Sequence, residues 1–265
     1  MTIHRFIVAK QYIDEANGLI NLTNPNQVHQ ISRVLRAKPG ETFELLDGDG
    51  NLYICILSQI SRNQVVAEIS SVKHQPKDSS RPELNIVIAL LKGDQFELAI
   101  QKLSELGVNS ITPCITNHGV VRLKESDLEK RYERWLSIAS EATEQSEGFY
   151  LPRLKALDSL DHILKDLSSK EKALNILLAE RHESPPLLHL IETGMQTESI
   201  QEINLVIGPE GGFSDKEFEL ARLHGLKYAS LGKRVFKAGT AAITSAAAVN
   251  FFLDEMLFKR NIGTA

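Results

Sequence analysis

Residues 208–219 read GPEGGFSDKEFE. Glycine lets backbone come close to a ligand, because no Cβ stands in the way. A loop for a polyphosphate needs GxxxxGK[ST], and one for a dinucleotide needs GxGxxG. Neither spacing occurs here. Glu210 stands in the middle of the loop, and the first lysine, Lys216, falls inside the amphipathic run that follows. A carboxylate there repels a polyphosphate, so a neutral or cationic ligand suits the loop better. S-adenosylmethionine, an adenosine joined to a sulfonium with no phosphate, is such a ligand. A tight turn that binds nothing is the alternative.

Two segments carry one sign of charge. Between Leu220 and Leu253 there is no acid, while Lys233, Arg234 and Lys237 crowd SLGKRVFKAGTAAITSAAA, residues 230–248. From Ala16 to Gly40 there is again no acid. There His29, Arg33 and Arg36, spaced i, i+4, i+7, share one face of an expected helix, with Val28, Ile31 and Leu35 opposite as its core contact. One-sign segments beside a ligand loop suit a polyanion, and a basic stripe suits a phosphate backbone. A solvated helix face is the competing reading.

These residues need elements to hold them. INLVIG is a near-continuous apolar run, expected as a central strand. Ser214 with Glu217 forms a capping box for the next helix. The loop therefore lies at the carboxyl end of a strand, where ligands bind in open α/β sheets. From residue 83 onward strand and helix patterns alternate: LNIVIALL, a helix closed by Gly107, SITPCIT, a long helix opened by Ser126 and Glu129 and reaching about Ser146, ALNILLAE, INLVIG, KYASLG and a last helix from about Gly239 to Phe258. Such alternation gives a mainly parallel sheet. Residues 1–72 are mostly β: RFIVA, GLINL, two runs around Asp47-Gly48-Asp49-Gly50 and QVVAEISSV. One helix interrupts them, capped by Asn24, with Pro25 at its first position, and ended by Pro39-Gly40. Short strands with one helix suggest a small barrel. KHQPKDSSRP, residues 73–82, reads as a linker.

The bulk numbers agree with such a chain. It has 265 residues, 42% hydrophobic and 24% charged, with a net charge of -4, so any basic surface is local. Cys55 and Cys114 lie in apolar stretches, expected as buried reduced thiols. The eight histidines form no metal-ligand pattern, so no metal is expected. No apolar run approaches the roughly 18 residues of a membrane span. A cytoplasmic protein is expected.

Together these stretches resemble the RsmE family of SPOUT RNA methyltransferases. The likeness is carried by HRF at 4–6, HQISRVLRAKPG at 29–40, QKLSELGVNSITP at 101–113, EATEQS at 141–146, LVIGPEGGFSDKE at 205–217 and SLGKRVFK at 230–237. The resemblance implies a PUA-like RNA-binding β-barrel over 1–72, then a SPOUT methyltransferase domain over 83–265 with a C-terminal trefoil knot. It further implies a homodimer, S-adenosylmethionine as cofactor, and methylation of N3 of one uridine in small-subunit rRNA. Carried over by position, the cofactor pocket includes Leu178, Ala179, Gly208, Glu210, Gly211, Gly212, Leu231, Gly232 and Val235. RNA contacts fall to Arg5, His29, Arg33, Arg36 and Lys38. Arg234 and Lys237 would meet charge developing on the base, and Glu144 and His118 are the candidates for taking its proton. The chain departs from the family's usual pattern at EGFY after EQS, at His118-Gly119 in place of arginine-serine, and at Lys237 and Gly239 in place of arginine and glutamate. A non-catalytic ribosome-binding relative with the same fold is the alternative reading. A Rossmann-type methyltransferase is disfavoured, because IVIALLKGDQ offers only Gly93 after its first strand.

Overall fold

The computed structural model describes residues 3–121, 125–179 and 183–263. The chain divides into two compact units, residues 1–77 with 143–151, and residues 78–142 with 152–265. The break after residue 77 falls inside the polar stretch 73–82, whose first two residues still belong to a strand. Residues 143–151, which the strand–helix alternation groups with the second domain, belong to the first unit.

The first unit opens with β1 (His4–Ile7), a 3-10 turn at Lys10–Tyr12, β2 (Ile13–Asp14) and β3 (Leu19–Leu22). Helix α1 (Pro25–His29) runs on as a π-turn over Gln30–Val34, followed by β4 (Thr42–Leu46), β5 (Asn51–Ile60) and β6 (Val65–His74). One six-stranded sheet results, in the order β1-β4-β5-β6-β3-β2, antiparallel except for β1 with β4. Its inward residues form a single core: Phe6, Ile20, Leu22, Phe43, Leu45, Tyr53, Leu57 and Val65, with Val28 and Ile31 from the helical turn. A sheet bent around its own core in this way has barrel logic, although no ladder pairs its end strands β1 and β2 among the described residues. The expected hairpin joins β4 to β5. Asp47 Oδ1 accepts from the backbone N–H of Asp49 and Asn51 at 2.8 and 3.0 Å.

The helix of this unit is shorter than its sequence promised. Asn24 caps it, its side chain accepting from Asn26 and Gln27 N–H. The wide turn over Gln30–Val34 then loosens it, and Arg36 sits at φ 53°, in the left-handed region. The helix therefore ends before Leu35 rather than at Pro39. Arg36 leaves the face shared by His29 and Arg33, so the stripe of three becomes a pair plus a neighbour on the following turn.

The second unit holds β7 (Glu83–Ala89), α2 (Gln95–Glu105), β8 (Ser110–Ile115), α3 (Glu125–Gln145, its last three residues in the first unit), β9 (Arg153–Leu154), β10 (Asp158–Ser159), α4 (Leu160–Ser168), β11 (Ala173–Leu178), α5 (Leu187–Thr197), β12 (Glu202–Ile207), α6 (Asp215–Leu223), β13 (Lys227–Ala229) and α7 (Ala238–Gly263). Its sheet runs β10-β8-β7-β12-β11-β13, all parallel, with β9 beside β8. β7 and β12 lie at the centre and are buried along almost their whole length, as strands covered on both faces must be. Each fully buried leucine or isoleucine there contributes about 1.5–3 kcal/mol. Because the strands are parallel, the segments after β7, β8, β11, β12 and β13 all emerge at one edge of the sheet.

Two expectations change here. Ser126 lies inside α3, which begins at Glu125, so it opens no capping box with Glu129. The alanines of α7 are in close packing: Ala241, Ala242 and Ala246 are fully buried, and the helix packs on α2, α5, β7 and β12. Over Ala238–Lys259 that same helix is long and apolar enough to pass a length test for a membrane span. Over that window 39% of it is buried, one face packing on α2, α5, β7 and β12 while Phe251 and Phe258 are exposed. Cys55 and Cys114 are free and buried, and burial pushes the Cys55 thiol up to about 12 and the Cys114 thiol higher still.

Candidate active site

β12 ends at Ile207, and residues 208–213 turn there before α6 begins. Gly212 N–H donates to Pro209 O at 2.9 Å, closing the turn. Gly212 has φ 73°, a conformation that glycine adopts without strain, and a Cβ built on it meets nothing within 4 Å. Gly208 is tight for another reason. A Cβ there would lie 2.9 Å from the Phe213 ring, which is part of the core beneath the sheet edge.

The expected capping box is present. Ser214 Oγ accepts from Glu217 N–H, and Glu217 Oε2 accepts from Ser214 N–H at 2.8 Å. Glu217 has a second task that its sequence position did not announce. It is 5% exposed, and its Oε1 accepts from Asn117 N–H at 2.8 Å. Asn117 Nδ2 donates to Ser214 Oγ at 2.9 Å. The segment after β8, residues 116–119, is thereby tied to the start of α6. His118 Nδ1 lies 3.2 Å from Gly212 O, and a Cβ on Gly211 would lie 3.1 Å from His118 Cβ. From the segment after β7, Lys92 N–H donates to Glu210 Oε1 at 3.3 Å.

Beside this loop is a cavity of about 430 Å³. Of the residues expected around the cofactor, Leu178, Gly208, Glu210, Gly211, Gly212 and Val235 line it. Ala179, Leu231 and Gly232 do not. Ala179 is buried at the end of β11, its N–H donating to Ala229 O, while Leu231 and Gly232 lie at the start of the other bordering loop, Gly232 with φ 117°. Of the two expected catalytic cations, Lys237 lines the cavity and Arg234 sits exposed three residues before it on the same loop. Phe213, Phe218 and Phe236 add aromatic walls. The spacing of Phe213 and Phe218 around the capping box was the one sequence signal for them.

The cavity walls suit an adenosyl sulfonium. Apolar surface from Leu178, Ile207 and the phenylalanines can cover a purine. Gly212 leaves room for close backbone approach, and the Glu210 carboxylate complements a positive charge. Among the described residues, no group of three or more histidine, cysteine or acidic side chains is placed to hold a metal.

The residues expected to contact RNA belong to the first unit. His29, Arg33, Arg36 and Lys38 are exposed. Arg5 is not: its side chain is 12% exposed, 3.8 Å from Glu44, with its guanidinium 5.2 Å over the Phe149 ring. Its Nε and Nη2 are buried without a hydrogen-bond partner among the described residues, so the Arg5 guanidinium is less open to a backbone phosphate than the four exposed residues are. Glu144 is also in this unit, and its Oε1 accepts from Ile7 N–H at 2.7 Å, a structural role that leaves His118 as the base candidate, a residue that does not itself line the cavity but touches Gly212, which does.

Comparison with known proteins converges on one family. Residues 78–250 match the RNA methyltransferase domain and residues 22–70 the RNA methyltransferase PUA domain. The chain is 32% identical over 251 residues to ribosomal RNA small subunit methyltransferase E of Synechocystis, covering 95% of this chain and 78% of that one. Its fold is similar to that of the Neisseria gonorrhoeae ribosomal RNA small subunit methyltransferase E bound to S-adenosyl methionine, with a TM-score of 0.80 and 25% identity over 94% of this chain and 98% of that one. It is also similar to a putative methyltransferase of Legionella pneumophila in complex with the same cofactor, with a TM-score of 0.79 and 28% identity over 95% and 98% of the two chains. With a family domain over most of its length and a relative this similar end to end, the chain belongs to the ribosomal RNA small subunit methyltransferase E family, SPOUT enzymes with an N-terminal PUA-like domain.

Proposed function

We propose that the protein transfers the methyl group of S-adenosylmethionine to N3 of one uridine in small-subunit rRNA. The observation that carries this reading is the cavity beside residues 208–212, with its close-approach glycines, its carboxylate and its lack of a phosphate-binding lysine in that loop, in a chain of this family. Leu178, Gly208, Glu210, Gly211, Gly212 and Val235 hold the cofactor, which supplies an electrophilic methyl group on sulfur. Leu231, Gly232 and the backbone at Ala179 border it. Lys237 and Arg234 face the uracil and stabilise the negative charge that grows on it as its imide proton leaves. The base is drawn out of its stack to reach the cavity.

His29, Arg33, Arg36 and Lys38 track phosphates from the first unit. Domains at 1–72 and 83–265, the first accompanied by 143–151, a trefoil knot in the C-terminal chain, a C2 homodimer, a cytoplasmic location and no metal requirement complete the reading. Phe251 and Phe258, 70% and 65% exposed and spaced i, i+7 on α7, support the dimer, because large apolar side chains on one helix face mark a contact surface. Light scattering at micromolar concentration should give twice the chain mass.

The test is single-turnover transfer of labelled methyl to small-subunit particles lacking the modification. Stoichiometric transfer to one uridine is expected. Binding without transfer by the wild type would instead favour a non-catalytic ribosome-binding relative. In parallel, Arg33→Ala should flatten the dependence of RNA affinity on salt by about 0.7–0.9 of a log unit per log unit of salt, the value of one lost phosphate contact.

A further inference from the structure

We infer that His118 is the general base of the reaction, taking the N3 proton of the target uridine on its Nε2 atom. The inference rests on the methyl-transfer reading above and assigns it a residue. Uridine N3 carries a proton that has to leave for nitrogen to attack carbon, so a lone pair is needed beside the cavity.

The geometry supplies one. A carbonyl oxygen only accepts hydrogen bonds, so the contact of His118 Nδ1 with Gly212 O at 3.2 Å requires the proton on Nδ1. In the neutral imidazole, Nε2 then holds the free lone pair. The ring is also fixed in place by chain far away in sequence. Asn117 N–H is held by Glu217 and Asn117 Nδ2 donates to Ser214, both about a hundred residues on. Gly119 N–H returns to Thr116 O at 3.1 Å, closing the turn that carries the histidine. His118 Cβ packs so near Gly211 that no larger residue fits at 211 without displacing it. Asn117 and Glu217 are positioning residues, and His118 is the exposed group they present. A base braced against the cofactor loop moves little between states, which is what general-base catalysis requires of geometry.

In the step, the N3–H bond breaks and its electron pair stays on nitrogen while the proton passes to Nε2. The N3–CH3 bond forms as the sulfonium–CH3 bond breaks, and that pair leaves with sulfur as a neutral thioether. His118 ends as imidazolium and returns its proton to solvent.

Two measurements test this. Nitrogen-15 NMR of the ligand-free protein should show Nδ1 of His118 protonated and Nε2 bare, and the reverse tautomer would overturn the assignment. His118→Asn keeps a donor for Gly212 O but has no basic nitrogen. It should bind S-adenosylmethionine by calorimetry as the wild type does, yet transfer methyl in single turnover about a hundredfold more slowly. Added imidazole should restore part of the rate to His118→Ala. A His118→Asn rate within threefold of wild type, or a slow His118→Ala that imidazole does not help, refutes the base role while leaving the methyl-transfer reading intact. Wild-type protein that transfers nothing refutes both.

Discussion

Loop 208–213 is tied to its surroundings from three sides. Lys92 N–H holds Glu210, His118 holds Gly212 O, and Asn117 and Glu217 anchor the helix that follows. Loop 230–237, across the same cavity, has its hydrogen bonds at its ends. Ser230 Oγ exchanges bonds with Gly232 at 3.0 and 3.1 Å, and Lys237 O accepts from Ala241 N–H as α7 begins. Between them Lys233, Arg234 and Val235 are exposed, Val235 at 63% despite its apolar side chain. The glycine loop is thus a preformed wall, whereas the cations of the basic loop form no ion pair among the described residues. Preformed geometry suits a cofactor held the same way each time. A loop whose cations have no ion pair among the described residues suits a polyanion whose charge changes during reaction.

The largest effect should come from breaking the wall. Gly212→Val puts a β-branched residue at φ 73°, a region that costs an L-residue about 1–2 kcal/mol and a branched one more. The space around Gly212 is open, so the fault is in the backbone and not a collision. Calorimetry should detect no S-adenosylmethionine binding, while circular dichroism shows a folded protein. Affinity within threefold of wild type would mean that the loop is not the cofactor wall.

Removing charge from the other loop should act differently. Arg234→Ala with Lys237→Ala should cut single-turnover methyl transfer about 10²–10³-fold, the usual effect of losing donors aimed at developing charge. Cofactor affinity should change little, because the wall is untouched. If RNA affinity falls by as much as the rate does, the two cations bind the ground state and the contrast between the loops loses its catalytic meaning.

The contrast also shows what could be read from sequence. The wall was legible because its signals are local: glycines at 208, 211 and 212, then a capping box three residues wide. Glu217 as the anchor of Asn117 was not legible, since the two are a hundred residues apart and meet only when β8 and β12 lie in one sheet. The short helix at 25–34 failed for a related reason. Ile31 has to be buried in the barrel core, and Ala37 N–H returns to Ile31 O at 3.1 Å, so tertiary packing widens the turn and frees Arg36. Helix α4 is the opposite case. Ser159 caps it, and Leu160, Ile163, Leu164 and Leu167 repeat at helical spacing and are buried, so its pattern was complete in the sequence, although no helix was expected between Ser146 and ALNILLAE. α5 was harder, with Pro185 and Pro186 before it and Gly194 within it, packed 3.2 Å from Leu174 at its would-be Cβ. The move of 143–151 into the first unit rests on contacts such as Glu144 with Ile7 and Tyr150 Oη with Gln75 O, which no periodicity records.

A smaller effect is expected from loosening the brace without touching the wall. Glu217→Gln keeps the size of the side chain and loses one carboxylate acceptor, so either Asn117 N–H or the Ser214 pair goes short. Turning an oxygen of buried Glu217 into a donor that faces another donor costs about 1–3 kcal/mol, which should lower the melting temperature and weaken cofactor binding. The weakening should be milder than in Gly212→Val, because the glycine turn still closes on Pro209. Melting by calorimetry and binding by titration separate the two effects. Unchanged stability would show that the segment 116–119 is not held by this carboxylate.

The smallest effect belongs to the one side chain that shapes the start of the basic loop. Ser230→Ala removes the hydroxyl that bonds Gly232 N–H and O. Both partners are exposed enough for water to replace it, so the cost should be about 0.5 kcal/mol or less, the usual range for a surface change. Melting temperature and cofactor affinity should stay near wild type. The prediction is useful because it is nearly null. If the basic loop were preformed like the glycine loop, this hydroxyl would be its main internal tie, and its loss would resemble that of Glu217. A drop in stability or affinity as large as that of Glu217→Gln would therefore show that both loops are braced before binding, and that loop 230–237 does not wait for a ligand to set its shape.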